Sequence, residues 1–134
     1  MKGRLCLDTS AYSHFRRGAE AAVEAIVAAR IVYVPSIVLG ELRAGFLAGA
    51  RAERNERELR RFLAEPIVEV LDVDDDASAA YAEIVVELRR AGTPVPTNDV
   101  WIAALAARES ATVLTYDRHF EWIRRVASRV LDRP

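Results

Sequence analysis

Hydrophobic and polar positions along this chain switch repeatedly between two periods. Short β-branched or leucine-rich runs read as strands: Leu5-Cys6-Leu7, Ile31-Val32-Tyr33-Val34, Ile67-Val68-Glu69-Val70-Leu71, Thr112-Val113-Leu114-Thr115 and Arg129-Val130-Leu131. Between them, spacing near 3.6 residues predicts helices over Ser10 to Arg17 (stopped by Gly18), Ala19 to Ala29, Ser36 to about Gly49 and Arg51 to Glu65. Further helices are predicted from about Ala77 to Ala91 (stopped by Gly92), from Asn98 to about Ser110, and in a short piece through Arg125. Strands alternating with helices predict an α/β fold, a three-layer α/β/α sandwich around a mostly parallel sheet. The connections are long enough for right-handed crossovers. A chain of 134 residues predicts a single domain, 1–134, with one core.

Two of the helices carry acids where the pattern calls for apolar residues. The stretch Thr97 to Arg108 is apolar almost all round, which marks a buried helix. Asp99 nevertheless stands in its first turn, over Ile102, Ala103 and Ala106 on a helical wheel, behind an expected Asn98 N-cap. In the helix beginning at Ser36, Glu41 shares a face with Ile37, Val38, Ala44, Gly45 and Ala48, while Arg43 points nearly the opposite way. Two further acids, Asp8 and Asp117, follow strands directly, at the carboxyl edge where open α/β sheets bind ligands. Each has a plainer reading: Asp8 as a helix N-cap, Glu41 as half of an internal arginine pair, Asp117 as a turn residue. Other charged stretches have structural explanations. Arg51 to Glu65 interleaves both signs, with Glu53–Arg57 and Glu56–Arg60 at i,i+4, as on a solvated helix. Asp72, Asp74 and Asp76 fit a helix N-terminus better than a calcium loop, because Ala77 occupies the position where such a loop needs glycine.

Composition narrows the function classes. The chain is 51% hydrophobic and 29% charged, with a net charge of −1, so no global basic field recruits nucleic acid. The single cysteine, Cys6, excludes an intrachain disulfide and a cysteine-rich zinc centre, and His14 and His119 are too few to replace one. No signal peptide and no apolar run near ~18 residues is present, which predicts a cytoplasmic protein without a membrane segment.

If Asp8, Glu41, Asp99 and Asp117 converge, they repel. At ~6 Å and an effective dielectric of ~20, each pair costs about 3 kcal/mol before solvent screening. Protons or a divalent cation must relieve this. An all-oxygen carboxylate site suits Mg²⁺ or Mn²⁺, and such an ion orients water and neutralises charge on a phosphoryl oxygen. The reaction that follows is hydrolysis of a phosphodiester.

The motifs Leu7-Asp8-Thr9-Ser10, Gly40-Glu41-Leu42, Asn98-Asp99-Val100-Trp101-Ile102-Ala103-Ala104 and Thr115-Tyr116-Asp117-Arg118-His119-Phe120 resemble, in order, those of the PIN-domain ribonucleases. They are most similar to the VapC-type toxins of toxin–antitoxin pairs, and the resemblance runs from about Leu5 to Leu131. It implies a PIN-like sheet, Mg²⁺- or Mn²⁺-dependent endoribonuclease activity on RNA, a homodimer, and a cognate antitoxin that fills the groove. It makes Asp8, Glu41, Asp99 and Asp117 the catalytic and metal-binding cluster, with Thr9, Ser10, Asn98 and Thr115 supporting it through hydrogen bonds. Arg16, Arg17 and Arg43 are candidates for the RNA backbone. His119 is read as a structural hydrogen-bonding residue, and Trp101 and Phe120 as core. The alternative is a catalytically silent PIN-like module that binds RNA or a partner.

Overall fold

The computed structural model describes residues 3–134. Five strands, β1 (Arg4–Leu7), β2 (Ile31–Pro35), β3 (Val68–Leu71), β4 (Thr112–Thr115) and β5 (Ser128–Val130), form one sheet in the order β3-β2-β1-β4-β5. Every neighbouring pair is parallel. The helices are α1 (Thr9–Arg16), α2 (Glu20–Ala28), α3 (Ser36–Ala48), α4 (Ala52–Leu63), α5 (Asp75–Ala91) and α6 (Thr97–Arg108).

This order decides where a site can form. After β1 the chain builds outward through β2 and β3, then returns to lay β4 on the other side of β1. The carboxyl ends of β1 and β4 therefore border a topological switch point, where the connections leave in opposite directions and a crevice opens. Asp8 follows β1 there, and Asp117 follows β4 by two residues. The central strands are buried along nearly their whole length, whereas the edge strands expose Glu69 and Arg129, charges that discourage edge-to-edge pairing.

Helix α6 is the most deeply set helix. Ile102, Ala103, Ala104, Leu105 and Ala106 are each 0% exposed. The alanines in that run let the helix backbone lie close to the sheet, and Trp101 stacks on Tyr81 of α5 with ring centroids 3.8 Å apart. Helix α4 shows the opposite pattern, burying Leu59 and Phe62 and turning its charges outward. Of its expected pairs, Glu56–Arg60 forms at 3.1 Å, while the second i,i+4 pair on this helix is Arg54–Glu58 instead of Glu53–Arg57. Asp74 caps α5 by accepting from the Ala77 amide at 2.9 Å, and Gly92 closes that helix in the left-handed region at φ 69°.

Three expectations are corrected. Asn98 does not cap α6: the cap position is Pro96, without a side-chain bond, and Asn98 lies inside the first turn. Proline's fixed φ starts the helix two residues earlier than the polar signal suggested. The short helix expected through Arg125 is a 3₁₀ turn, Arg118–Trp122, too short to settle into α geometry. The face of α3 carrying Glu41 is not buried throughout. Val38 is buried and Ile37 half-buried, but Ala44, Gly45 and Ala48 are exposed, because α3 packs more against α4 than against the sheet.

The packing of α6 yields a direct test. Ile102→Ala removes a side chain with no solvent exposure, and its cost is expected at about 2–5 kcal/mol. Urea unfolding followed by circular dichroism measures this. A change below about 1 kcal/mol would mean that α6 is not docked as described.

Candidate active site

Each acid reaches the crevice by a different local device. Asp8 leaves β1 in extended geometry and serves as the N-cap of α1, its Oδ1 accepting from the Ala11 amide at 2.8 Å and the Ser10 hydroxyl at 2.7 Å. Its Oδ2 accepts from the Thr115 hydroxyl of β4 at 2.5 Å. The capping alternative is therefore realised, and the same carboxylate faces the switch point. Thr115 Oγ1 in turn accepts from the Asp117 amide at 2.9 Å, and the Ser10 hydroxyl oxygen accepts from the Tyr116 amide at 3.0 Å. This small network stitches β1, α1 and β4 together across the crevice.

Glu41 takes the Thr9 hydroxyl on Oε1 at 2.6 Å and the Asn98 amide on Oε2 at 3.4 Å, which ties α3 to both α1 and α6. Asp99 receives His119 Nε2 on Oδ2 at 2.6 Å. Asp117 is more open and has Arg133 at 3.6 Å. Thr9, Ser10, Asn98 and Thr115, expected beside the acids, all make hydrogen bonds there.

Asp8 is coupled electrostatically to Asp117, and Asp99 to Glu41 and Asp117. Burial pushes the Asp8 carboxyl up to about 6, against the lowering effect of Thr115, Ala11 and Ser10, and the negative charge of Asp117 adds to the rise. Burial also raises the Asp99 carboxyl; His119 opposes this, and the charges of Glu41 and Asp117 reinforce it. Both carboxyls are thus penalised when ionised, as expected of acids crowded in a poorly solvated seam.

The arginines are placed differently from the expectation. Arg43 forms a fork on Glu56 of α4, with Nη2 at 2.9 Å, and Arg16 leans on Glu58 at 3.8 Å and over the Tyr12 ring. Both are turned toward α4, whose glutamates the sequence reading had assigned to that helix alone. Arg17 is exposed. It lies near His14, whose imidazole is held below its usual range by burial and then by the charges of Arg17 and Arg133. His14 also packs against Tyr116, the rings tilted by 33° with centroids 4.0 Å apart. Arg17 and Arg133 thus place positive charge around His14, and Arg133 also reaches Asp117 at 3.6 Å. Arg133 carried no sequence signal, since it lies outside every motif.

The donor set fits a hard divalent cation: it is all carboxylate and hydroxyl oxygen, with two carboxyls destabilised as bare anions. Among the described residues, no three acid, histidine or cysteine side chains are close enough together to enclose an ion unaided.

Comparison with known proteins agrees with this fold. The PIN domain profile matches residues 5–126. The chain belongs to the PIN-domain family. This PIN domain is 35% identical to Ribonuclease VapC5 of Mycobacterium tuberculosis over 114 residues, covering 85% of this chain and 83% of that protein. Its fold superposes on the VapBC2 structure from Rickettsia felis, bound to a DNA fragment from their promoter, with a TM-score of 0.86 at 25% identity, covering 96% of this chain and 99% of that one. DNA-bound VapBC from Salmonella typhimurium gives a TM-score of 0.83 at 30% identity, covering 96% and 98%. Within the family, this PIN domain stands with the VapC-type proteins.

The raised Asp8 carboxyl gives a pH prediction for metal-free protein. The folded chain holds this proton up to about pH 6, the unfolded chain only to about 3.8. The stabilising contribution is therefore complete below 3.8 and is lost as pH climbs through 6. Asp8→Asn keeps a capping oxygen and removes the charge. It is expected to stabilise the chelated protein by up to ~3 kcal/mol at pH 7.5 and by almost nothing at pH 4, read as urea midpoints at the two pH values. Equal midpoints for both proteins at pH 7.5 would show that the ionised Asp8 carries no burial penalty.

Proposed function

We propose that this PIN domain is a Mg²⁺- or Mn²⁺-dependent endoribonuclease that hydrolyses RNA phosphodiester bonds, and that it is the toxin of a toxin–antitoxin pair. The observation that carries the reading is that Asp8, buried at the end of β1, feels the charge of Asp117, and that Asp99 feels those of Glu41 and Asp117, with Asp8 and Asp99 both penalised as bare anions. Its similarity to a protein named as a ribonuclease supports the RNA substrate. The neighbours titled as VapBC assemblies support a cognate antitoxin as partner.

In this reading Asp8 and Asp99 hold the ion, and Glu41 and Asp117 position water around it. A bound ion supplies Lewis-acid polarisation of a phosphoryl oxygen and a water of lowered pKa. The chain's own contribution is orientation. Three donors fix Asp8, two on Oδ1 and one on Oδ2, which leaves one lone pair on Oδ2 for the ion. Thr9 and Asn98 restrain Glu41 from opposite sides. Arg17 and Arg133 offer positive charge to the phosphates next to the scissile one, which compensates locally for a chain whose net charge is −1.

The deciding experiment is cleavage of single-stranded RNA by the full chain with Mg²⁺, with chelator, and with Asp99→Asn. Metal-dependent cutting is expected. The substitution should reduce it by more than the roughly 10–100-fold that loss of a ligand's supporting partner costs. Equal activity in wild type and Asp99→Asn, or none over a broad RNA panel, would favour a silent RNA- or partner-binding module instead.

A further inference from the structure

We infer that His119 is a positioning residue for the ion site: it holds the Asp99 carboxylate out across the crevice and so sets the affinity for the divalent cation. The inference rests on the reading of Asp99 as an ion ligand. It goes beyond that reading by assigning a role to a side chain outside the acidic cluster.

The geometry points to this role through the helix that carries Asp99. An α-helix begins with unpaired backbone N–H groups, and α6 begins after Pro96 with no side-chain cap. Asp99 sits in that first turn. A carboxylate there is drawn by the helix dipole and by the free amides of its own turn. Left alone, it would fold back onto α6 as a local cap. His119 Nε2, 2.6 Å from Oδ2, supplies a competing donor from the other wall of the crevice. An ionised carboxylate only accepts hydrogen bonds, so the imidazole N–H must donate, and Oδ1 keeps its lone pairs for another partner.

His119 is itself held in place. It belongs to the 3₁₀ turn that follows Asp117, and its ring stacks on Phe120, which is 0% exposed. One short segment after β4 thus delivers both an acid and the donor that restrains the acid opposite. His119 is partly exposed, with 26% of its side chain open to solvent, so the imidazole is not needed to fill the core.

The test is Mn²⁺ binding to the full chain at pH 7.5, read from the electron paramagnetic resonance signal of free Mn²⁺, for wild type, His119→Ala, His119→Gln and Asp99→Asn. Losing a hydrogen-bonding partner behind a ligating carboxylate typically weakens metal affinity 10–100-fold, and His119→Ala is expected in that range. The Mn²⁺ concentration that half-saturates RNA cleavage should shift by the same factor, more than the rate at saturating ion. Glutamine places an amide N–H near the position of Nε2, so His119→Gln should recover most of the affinity. Circular dichroism melting of both variants establishes that they are folded. Unchanged Mn²⁺ affinity in His119→Ala, or glutamine no better than alanine, would overturn the role. So would nitrogen hyperfine coupling to bound Mn²⁺ in wild type that disappears in His119→Ala, because His119 would then be a ligand itself. If Asp99→Asn also leaves Mn²⁺ affinity intact, the assignment of Asp99 as a ligand fails first, and the inference about His119 falls with it.

Discussion

Burial of carboxylates in a poorly solvated crevice, reinforced by their repulsion of one another, is the constraint that sets this seam apart from the rest of the molecule. Elsewhere in the protein, acids meet arginines. Glu56 holds Arg43 and Arg60, Asp74 holds Arg108, and Glu83 and Glu87 hold Arg125. At the switch point the rule changes. Asp8 is met by hydroxyls and an amide, Glu41 by Thr9 and Asn98, and Asp99 by a histidine. Only Asp117, at the open rim, has an arginine nearby, at 3.6 Å. Hydroxyl and amide donors steer the carboxylates of Asp8 and Glu41 without cancelling their charge, so the negative potential of the seam is retained. A full arginine pair at each acid would have discharged it.

Sheet order and helix packing make the crowding possible. Parallel strands need long crossovers, and reversing their direction about β1 leaves a seam that no connection covers. The small residues of α6 let that helix approach the sheet closely and bring Asp99 to the seam. The hydroxyl of Thr115, buried at 0% exposure, is satisfied by donating to Asp8 and accepting from the Asp117 amide, so its burial leaves no unpaired group. The stability lost to crowded charge is offset by this packing and by the network between β1 and β4.

Period and punctuation made most elements legible. The β-branched runs, the buried character of α6 and the glycine stops at Gly18 and Gly92 are local properties, and all five strands fall where the alternation placed them. Ends were less legible. Pro96 displaced Asn98 as the cap of α6, and the segment after Asp117 closed as a 3₁₀ turn. Asp99 and Glu41 could be found because an ionisable group on an apolar helical face violates the pattern around it. Arg133 violates nothing, and its place beside Asp117 was invisible.

The sequence by itself therefore determined the fold class and singled out four acids as candidates, because hydrophobic period and misplaced charge are both readable one segment at a time. Only the tertiary structure decided what each charge meets. It turned Arg43 and Arg16 toward the glutamates of α4, set Arg17 and Arg133 around His14, and brought His119 against Asp99. The physical reason is distance along the chain. Partners separated by 13 to 107 residues, as in Arg43 with Glu56 and Asp8 with Thr115, are chosen by how helices settle on a sheet, and no local pattern encodes that choice.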